Sequence, residues 1–204
     1  PATDLFGKMK EEGYTRTAGF WNDESDSYPN ITAPAFNGQA IGGTTVWTAM
    51  TPQSGLSVAS DPVTGKELST AKQGYITDRN CSHWNNFKGV SRQFGGKTFS
   101  GEWIDTIRAK DYLNDQIIVK LTNLLNNVPL SKIQFSKGYL VTNAIDSVLQ
   151  NGYNLGILDG FEPAQLPQNI TFEDQVERIL QQVKWTGYLA SAIDAIVVSG
   201  KLTY

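Results

Sequence analysis

The sequence contains one cysteine and one histidine, Cys81 and His83, which lie two residues apart in the segment RNCSHWNNF (79–87). A thiolate and an imidazole form the nucleophile and base of cysteine proteases, and both side chains bind zinc. On a β-strand, side chains two positions apart face the same side with Cβ atoms about 7 Å apart, too far for a direct hydrogen bond. A structural zinc site takes four ligands, and the sequence has no second Cys/His pair. We therefore expect a buried thiol beside a partly exposed imidazole, in an extended segment without catalytic or metal chemistry.

Carboxylates are concentrated at two other places. The loop NDESDSYPN (22–30) holds three acidic residues but lacks the glycine and the distal glutamate of a calcium-binding loop. Asp105, Asp111 and Asp115 fall in a predicted helix, where only the last two share a face, opposite much of the apolar stripe. The helix group is interpreted as a solvated face, interspersed with Arg108 and Lys110, and no ion site is predicted in the loop.

The run Gly95-Gly96-Lys97-Thr98 is similar to the end of a phosphate-binding loop. The motif GxxxxGK[ST] requires its first glycine at position 91, where the sequence has Ser91. A Gly-Gly turn between the alternating segments KGVSRQF and KTFSGEW predicts a β-hairpin instead. The sequence therefore predicts no catalytic residue, no cofactor and no metal.

Composition excludes several classes of partner. The chain of 204 residues is 40% hydrophobic and 11% aromatic, which is typical of one large globular domain or two small ones. A formal charge of −3 without any Lys/Arg-rich run argues against nucleic acid. The apolar runs are too short to cross a bilayer, and a single cysteine cannot form an internal disulfide. Because the chain begins at Pro1 with neither a methionine nor a signal peptide, we expect further residues upstream.

Residues before position 100 predict short elements separated by loops. Asp4 is a candidate N-cap for a first helix that stops at Gly13. Further helices are predicted at 34–42 and 66–74, and strands at 16–21, 44–50 and 75–80.

A long helix dominates the remaining residues. Ser100 is its candidate cap, and Asn126-Asn127 before Pro129 mark its end, which gives a length of roughly 35–40 Å. Its apolar stripe comprises Ile104, Ile107, Leu113, Ile117, Ile118, Leu121, Leu124, Leu125 and Val128.

Shorter elements complete the second half. A second helix is predicted from Ser136 to Asn151-Gly152, a loop at 159–169, a helical turn at 172–178 and two strands within 179–204. The change in pattern near residue 100 predicts two regions, 1–99 and 100–204, in an α/β chain that is α+β overall.

The C-terminal strand is the remaining candidate for function. A chain that ends inside a strand leaves an edge that can pair with another chain. The residues alone therefore favour a structural or assembly subunit, with a strand in the chain's own sheet as the alternative. The predicted subunit-interaction residues are Ala195, Ile196, Val197, Val198, Ser199, Gly200, Lys201, Leu202, Thr203 and Tyr204.

Six segments taken together resemble the tail sheath proteins of contractile-tailed bacteriophages. They are GYTRTAGFW, GGTTVWTAM, NCSHWNNF, GGKTFSGEWIDTIRAKDYLNDQIIVKL, KIQFSKGYLVTNAIDSVL and ASAIDAIVVSGKLTY. The fourth resembles the family's linker, a hairpin followed by Gly-Glu-x-Ile-Asp and a long helix, and the last resembles its closing strand. In that strand the family often has a run like Ala-Gly-Ala-Ile-His, whereas here Ala192-Ile193 precedes Asp194.

This resemblance implies a structural subunit without catalytic residues. Residues 1–99 would be the remainder of a subtilisin-like α/β core, and residues 100–204 a C-terminal α+β domain with the long helix and terminal strands. Sheath subunits stack as hexameric rings around a tail tube, are linked by exchanged strands, and contract to drive the tube through a cell envelope.

The implied partners are further copies of the chain, the tail tube protein and the baseplate, with no nucleic acid and no membrane. The implied location is the contractile tail of a virion, assembled in the cytoplasm of the bacterial host. Two alternatives remain: another tail subunit, of the tube or baseplate, and a degenerate subtilisin-like hydrolase with His83 as its base.

Overall fold

The computed structural model describes residues 3–24, 28–48, 57–87, 89–127 and 133–193, which form the predicted mixed α+β fold. The helices are α1 (Leu5–Glu11), α2 (Pro29–Gly38), α3 (Thr70–Thr77), α4 (Ile104–Asn127), α5 (Tyr139–Asn154) and α6 (Phe172–Glu177). The strands are β1 (Gly19–Trp21), β2 (Cys81–Phe87), β3 (Val90–Phe94), β4 (Leu158–Gln165) and β5 (Lys184–Leu189). A short 3-10 helix, Phe135–Lys137, precedes α5.

The backbone divides into two compact units. Unit 2 comprises Gly42–Thr44 and Arg108–Ala190, and unit 1 comprises the remaining described residues.

Unit 1 is built around a three-stranded sheet in the order β1-β2-β3. β1 is parallel to β2, with Trp21 opposite His83, and β2 is antiparallel to β3, with His83 opposite Phe94. Because neighbouring side chains on a strand alternate between faces, Trp84 lies on the other face from His83. That face carries the buried cluster Ala33, Trp47, Trp84 and Ile104.

The first helix is fixed by the cap that the sequence predicts. The Asp4 carboxylate accepts a hydrogen bond from the Gly7 amide at 2.8 Å and another from Arg79 Nε at 2.7 Å. On the helix itself, Phe6 stacks on Phe99 with ring centroids 6.0 Å apart. Asp4 therefore both starts α1 and links it to Arg79, two residues beyond the end of α3.

The hairpin predicted around Gly95-Gly96 is wrong. The observed hairpin pairs β2 with β3, so its turn precedes Val90. Gly95 and Gly96 instead take φ values of +98° and +95°, and a Cβ on Gly95 would lie 2.7 Å from the Ser82 Cα. Gly95 allows the chain to pass close to β2, and Gly96 allows it to pass close to Trp47, so the two glycines serve close packing and not a hairpin turn.

Two strands predicted in unit 1 are also wrong. Residues 75–77 belong to α3, which Ser69 caps and which passes through Gly74 without ending. Residues 44–48 form bends, while 49–50 lie outside the described residues. The β-branched and aromatic composition of 44–48 reflects burial, since Trp47 lies in the core cluster. The helix predicted at 34–42 is α2, which begins earlier because Pro29 occupies its first turn.

Unit 2 packs α4 and α5 with the antiparallel pair β4–β5. α4 has 24 residues and ends at Asn127, as the sequence predicts. The buried core consists of Ala109, Leu113, Ile117, Ile145, Val148, Leu149, Ile157 and Leu158.

The predicted helix boundaries in this half need three corrections. Ser136 does not cap α5, because it lies within the 3-10 helix and α5 begins at Tyr139. Ser100 does not cap α4, because the helix begins at Ile104 and the Ser100 hydroxyl is hydrogen-bonded to that of Thr98 at 2.9 Å. α5 continues past Gly152 to Asn154. A Cβ at position 152 would lie 2.9 Å from Leu113 Cδ2, so Gly152 serves the close packing of α5 on α4 and does not end a helix.

The loop predicted at 159–169 is largely strand β4. Its prolines suggested a loop, but Pro163 lies where the register shifts between Glu162 and Gln165. A proline is tolerated at such an irregularity because no ladder hydrogen bond is required from its nitrogen. The helical turn predicted at 172–178 and the first of the two C-terminal strands are confirmed as α6 and β5.

Candidate assembly surface

Cys81 and His83 form no reactive pair. His83 is 1% exposed, which corrects the expectation of a partly exposed imidazole, and its ring stacks on Phe94 at 5.3 Å. Neither imidazole nitrogen has a hydrogen-bond partner among the described residues. Burial lowers the pKa of His83 to about 4 and raises the pKa of the Cys81 thiol to about 12. At neutral pH the site therefore holds a neutral thiol and a weakly basic, inaccessible imidazole.

The other polar groups considered from the sequence have structural surroundings. The Asp23 carboxylate accepts hydrogen bonds from the Ser60 amide, at 2.7 Å, and from the Ser60 hydroxyl. Lys97 lies over the Trp103 ring, with Nζ 4.6 Å from its centroid. Asp111 and Asp115 are exposed on α4, as predicted. Over the described ranges, no group of three His, Cys, Asp or Glu side chains could hold a metal ion.

The described helices also include none that combines the length and the apolar character needed to cross a bilayer. The predicted interaction strand 195–204 lies outside the described residues. The described part of the chain nevertheless presents two features suited to assembly, and both belong to unit 2.

The first feature is the two-stranded sheet β4–β5. Its inner side chains, including Trp185 and Leu189, pack on the core of unit 2, while Tyr188 faces outward and donates a hydrogen bond to Glu162 at 2.6 Å. Within the described residues neither strand pairs with a further strand, so each has one edge without a strand partner. On β4 the Ala164 amide donates to the Asp146 carboxylate at 2.7 Å. Two-stranded sheets are marginal alone, and such edges readily accept another strand.

The second feature is an apolar groove of about 970 Å³ at the end of α4. Its walls come from α4, from the 3-10 turn with the start of α5, and from α6 with the segment that joins it to β5. The side chains that define it are Leu121, Leu124, Leu125, Val141, Ile145 and Leu180. The groove is therefore a continuation of the unit 2 core that reaches the surface.

Sequence reasoning missed this groove because the apolar stripe of a helix does not show how much of it the other elements of the fold cover. Ile118 and Leu125 belong to the predicted stripe of α4, yet they are 62% and 69% exposed. The length of the stripe was the available indication, since it extends beyond the part that α5 and β4 can cover.

Sequence-level comparisons give no relative. No protein-family model matches the chain. No curated protein matches it either.

The fold, in contrast, matches solved structures of contractile injection systems. One chain of the six-fold symmetrised baseplate of the anti-feeding prophage superposes with a TM-score of 0.62 at 13% identity, over 84% of this chain and 48% of that one. The helical sheath of the anti-feeding prophage in its contracted state gives 0.55 at 15% identity, over 84% and 48%. The contracted sheath complex of an extracellular contractile injection system, PVC, gives 0.56 at 14% identity, over 84% and 49%.

The chain thus has a contractile-sheath-like fold, which confirms the resemblance expected from its segments. It spans about half the length of the chains that it matches. At these identities the likeness establishes the fold alone.

Proposed function

We propose that this chain is part of a structural subunit of a contractile tail sheath, which surrounds a tube and contracts to drive it through a cell envelope. The observation that carries the proposal is the fold match to contracted sheaths of two injection systems, each over 84% of the chain. The open edges of β4–β5 and the neutral, buried state of Cys81 and His83 support a role in assembly over a hydrolytic one. The subunit acts without catalysis.

The proposed arrangement follows the implied family. Residues 1–99 are the remainder of a subtilisin-like core, and residues 100–204 are a C-terminal sheath domain. Subunits stack as hexameric rings around the tube and meet the baseplate, in the tail of a bacteriophage virion or a related particle assembled in the bacterial cytoplasm. Contraction draws its free energy from the subunit contacts of the shorter state and requires no nucleotide.

Strand exchange would connect the rings during this movement. Residues 195–204 of one copy are proposed to add to the β4–β5 sheet of another, where backbone hydrogen bonds give affinity with little dependence on side chains. Main-chain pairing of this kind can persist while the subunit bodies rotate, because it involves only the backbone of the paired strands.

Assembly of the protein in its natural full length tests the proposal. We expect tubes in negative-stain micrographs of the full-length protein, and a largely monomeric state for the 204-residue chain alone. Deletion of residues 195–204 should abolish the tubes while the far-ultraviolet circular dichroism spectrum stays unchanged. Discrete globular oligomers in place of tubes would contradict the sheath function, and tubes that persist after the deletion would contradict strand exchange alone.

A further inference from the structure

The hairpin of β2 and β3 buries polar side-chain atoms that have no hydrogen-bond partner among the described residues. They are both imidazole nitrogens of His83, Oδ1 of Asn85 and of Asn86, Nε of Arg92 and Nε2 of Gln93. Three of these side chains are almost fully enclosed, since His83 and Asn85 are 1% exposed and Gln93 is 2% exposed. The described part of unit 2 has no such atom. The unpaired groups are therefore concentrated in unit 1, and mainly on this one pair of strands.

The register of the hairpin places unpaired groups on both of its faces. Asn85 lies directly opposite Arg92, and Trp84 lies directly opposite Gln93. Opposed residues share a face and neighbouring residues alternate, so Asn85 and Arg92 lie on one face and Gln93 lies on the other. On the first face an acceptor, Asn85 Oδ1, and a donor, Arg92 Nε, belong to opposed residues and are both unpaired. The closed hairpin thus leaves hydrogen-bonding groups unused on each face.

Little apolar burial compensates for these groups in β3. Gln93 is the one buried residue of this strand, and its Nε2 atom is among the unpaired ones. Val90 is 63% exposed, and Phe94 is half-buried with its ring 5.3 Å from that of His83. Among the described residues β3 pairs with β2 alone. The strand is therefore held by one ladder of backbone hydrogen bonds, without a fully buried apolar side chain.

Unpaired buried groups shift the equilibrium between the closed and the open hairpin toward the open state. Water hydrates each group when the strands separate, whereas the closed hairpin offers no hydrogen bond in exchange for that hydration. One buried polar group without a partner favours opening by about fivefold to a hundredfold. The groups on β2 and β3 all act in this direction.

We infer that β3 is built to detach from β2 in a local opening that leaves unit 2 folded. The opening hydrates the polar side chains of both strands and releases the backbone groups of β2 that pair with β3. It concerns unit 1 of a single chain, so it does not depend on the proposed sheath function. The hairpin is thus a conformational device of unit 1, a strand that opens without global unfolding.

Hydrogen exchange of the intact 204-residue chain, followed by mass spectrometry at several urea concentrations below the unfolding transition, measures this opening. After correction for intrinsic rates, peptides that cover β3 should exchange at least about a hundredfold faster than peptides that cover α5. Exchange in β3 should change little with urea, because detachment of five residues exposes little surface. Exchange in α5 should accelerate with urea, since it requires unfolding of the core of unit 2.

Two substitutions test whether the unpaired groups cause the opening. Asn85→Leu and Gln93→Met replace an unpaired polar side chain by an apolar one of similar size, one on each face of the hairpin. Each should slow exchange in β3 about tenfold, because the desolvation cost of the polar group disappears. Asn37→Leu is the matched control: Asn37 is also 1% exposed, but its Nδ2 donates to the Ala33 carbonyl at 3.3 Å. This variant should not slow exchange in β3.

Three results would overturn the inference. Equal exchange in β3 and α5, with the same dependence on urea, would show that β3 opens only when the whole chain unfolds. Fast exchange in β3 that neither Asn85→Leu nor Gln93→Met slows would show that the unpaired groups are not its cause. Failure of both variants to fold, judged by circular dichroism, would show that these groups stabilise the hairpin.

Discussion

The two units bury different kinds of side chain. Unit 1 buries polar residues on and beside its sheet, namely Ser82, His83, Asn85, Gln93 and Thr98. Several of their polar atoms, among them both nitrogens of His83 and Asn85 Oδ1, have no hydrogen-bond partner among the described residues. Unit 2 buries aliphatic residues, and within its described part Thr142 is the single buried polar one, with its hydroxyl donating to the Tyr139 carbonyl at 3.1 Å.

This difference separates two sources of stability. The core of unit 2 depends on apolar burial, which changes little with pH. The core of unit 1 depends on polar groups that remain neutral, because burying a charge without a partner is costly. Both units leave apolar side chains exposed, for example Val63 in unit 1 and Phe172 in unit 2, so the contrast between the units lies in their cores.

The largest effect is expected where the apolar core of unit 2 is opened. Leu149 lies on α5 with no exposed surface. Leu149→Ala should lower the free energy of unfolding by about 3–5 kcal/mol, because it removes buried methyl groups and leaves a cavity. Urea denaturation followed by circular dichroism measures the loss.

Leu125→Ala is the matched control for this substitution, since it makes the same change at an exposed position of α4. It should cost less than about 0.5 kcal/mol in the unassembled chain. Equal losses for the two variants would mean that Leu149 is not in a packed core.

The next largest effect is expected in unit 1, and only at acidic pH. His83 has a pKa of about 4 in the folded chain against an ordinary value of 6.5, so between these values the unfolded chain binds a proton that the folded chain does not. The free energy of unfolding therefore has its full value above about pH 6.5. It falls as the pH drops toward 4, by about 3 kcal/mol in total. Urea denaturation at about pH 7 and about pH 4 measures the difference.

His83→Gln tests the assignment, since a glutamine side chain stays neutral throughout this range. In this variant the free energy of unfolding should decline much less between the two pH values. If the free energy of unfolding declined equally in both proteins, the decline would come from carboxylates. The contrast drawn between the two units would then be wrong.

A smaller effect is expected where the chain crosses β2. Gly95→Ala places a Cβ 2.7 Å from the Ser82 Cα in addition to straining a backbone with φ +98°. Gly65→Ala strains a similar backbone, with φ +65°, but its Cβ meets nothing within 4 Å. We expect losses of about 2–3 kcal/mol and about 1 kcal/mol respectively, measured by thermal unfolding, and the difference between them isolates the close packing.

Several features of the fold could be predicted from the sequence. The Asp4 cap, the length of α4 and the extended segment from Cys81 all follow from patterns within a few neighbouring residues. Such patterns act locally, so the fold confirms them.

The failures involve residues whose role is set by a distant partner. In the sequence Gly95 and Gly152 predict a turn and a helix end, but in the fold each lacks a side chain because another element lies against it. Trp47 resembled a strand residue because burial and strand formation favour the same side chains. Single-sequence patterns predict that a residue is buried, and they do not predict which element covers it.

The same limit applies to the assembly surface. The sequence predicts that Ile118 and Leu125 belong to the apolar stripe of α4, and the fold leaves both exposed. The part of the stripe that the described residues leave uncovered could not be recognised without the positions of α5 and β4, since covered and uncovered stripes have the same sequence pattern.

The smallest effect is expected at α6, a helix of unit 2 that contributes no buried residue to the core. Thr171→Ala removes the hydroxyl that caps the Asp174 amide and should destabilise this helix by about 1 kcal/mol. Because α6 contributes no buried residue, urea denaturation of the unassembled chain should remain almost unchanged. Hydrogen exchange at the Gln175 and Ile179 amides, which donate to the Thr171 and Asp174 carbonyls, should nevertheless accelerate about fivefold, since the helix can open locally while the rest of the chain stays folded. Thr171→Ser keeps the hydroxyl and should behave as the unaltered protein, whereas equal exchange rates in the alanine and serine variants would show that the Thr171 hydroxyl does not stabilise α6.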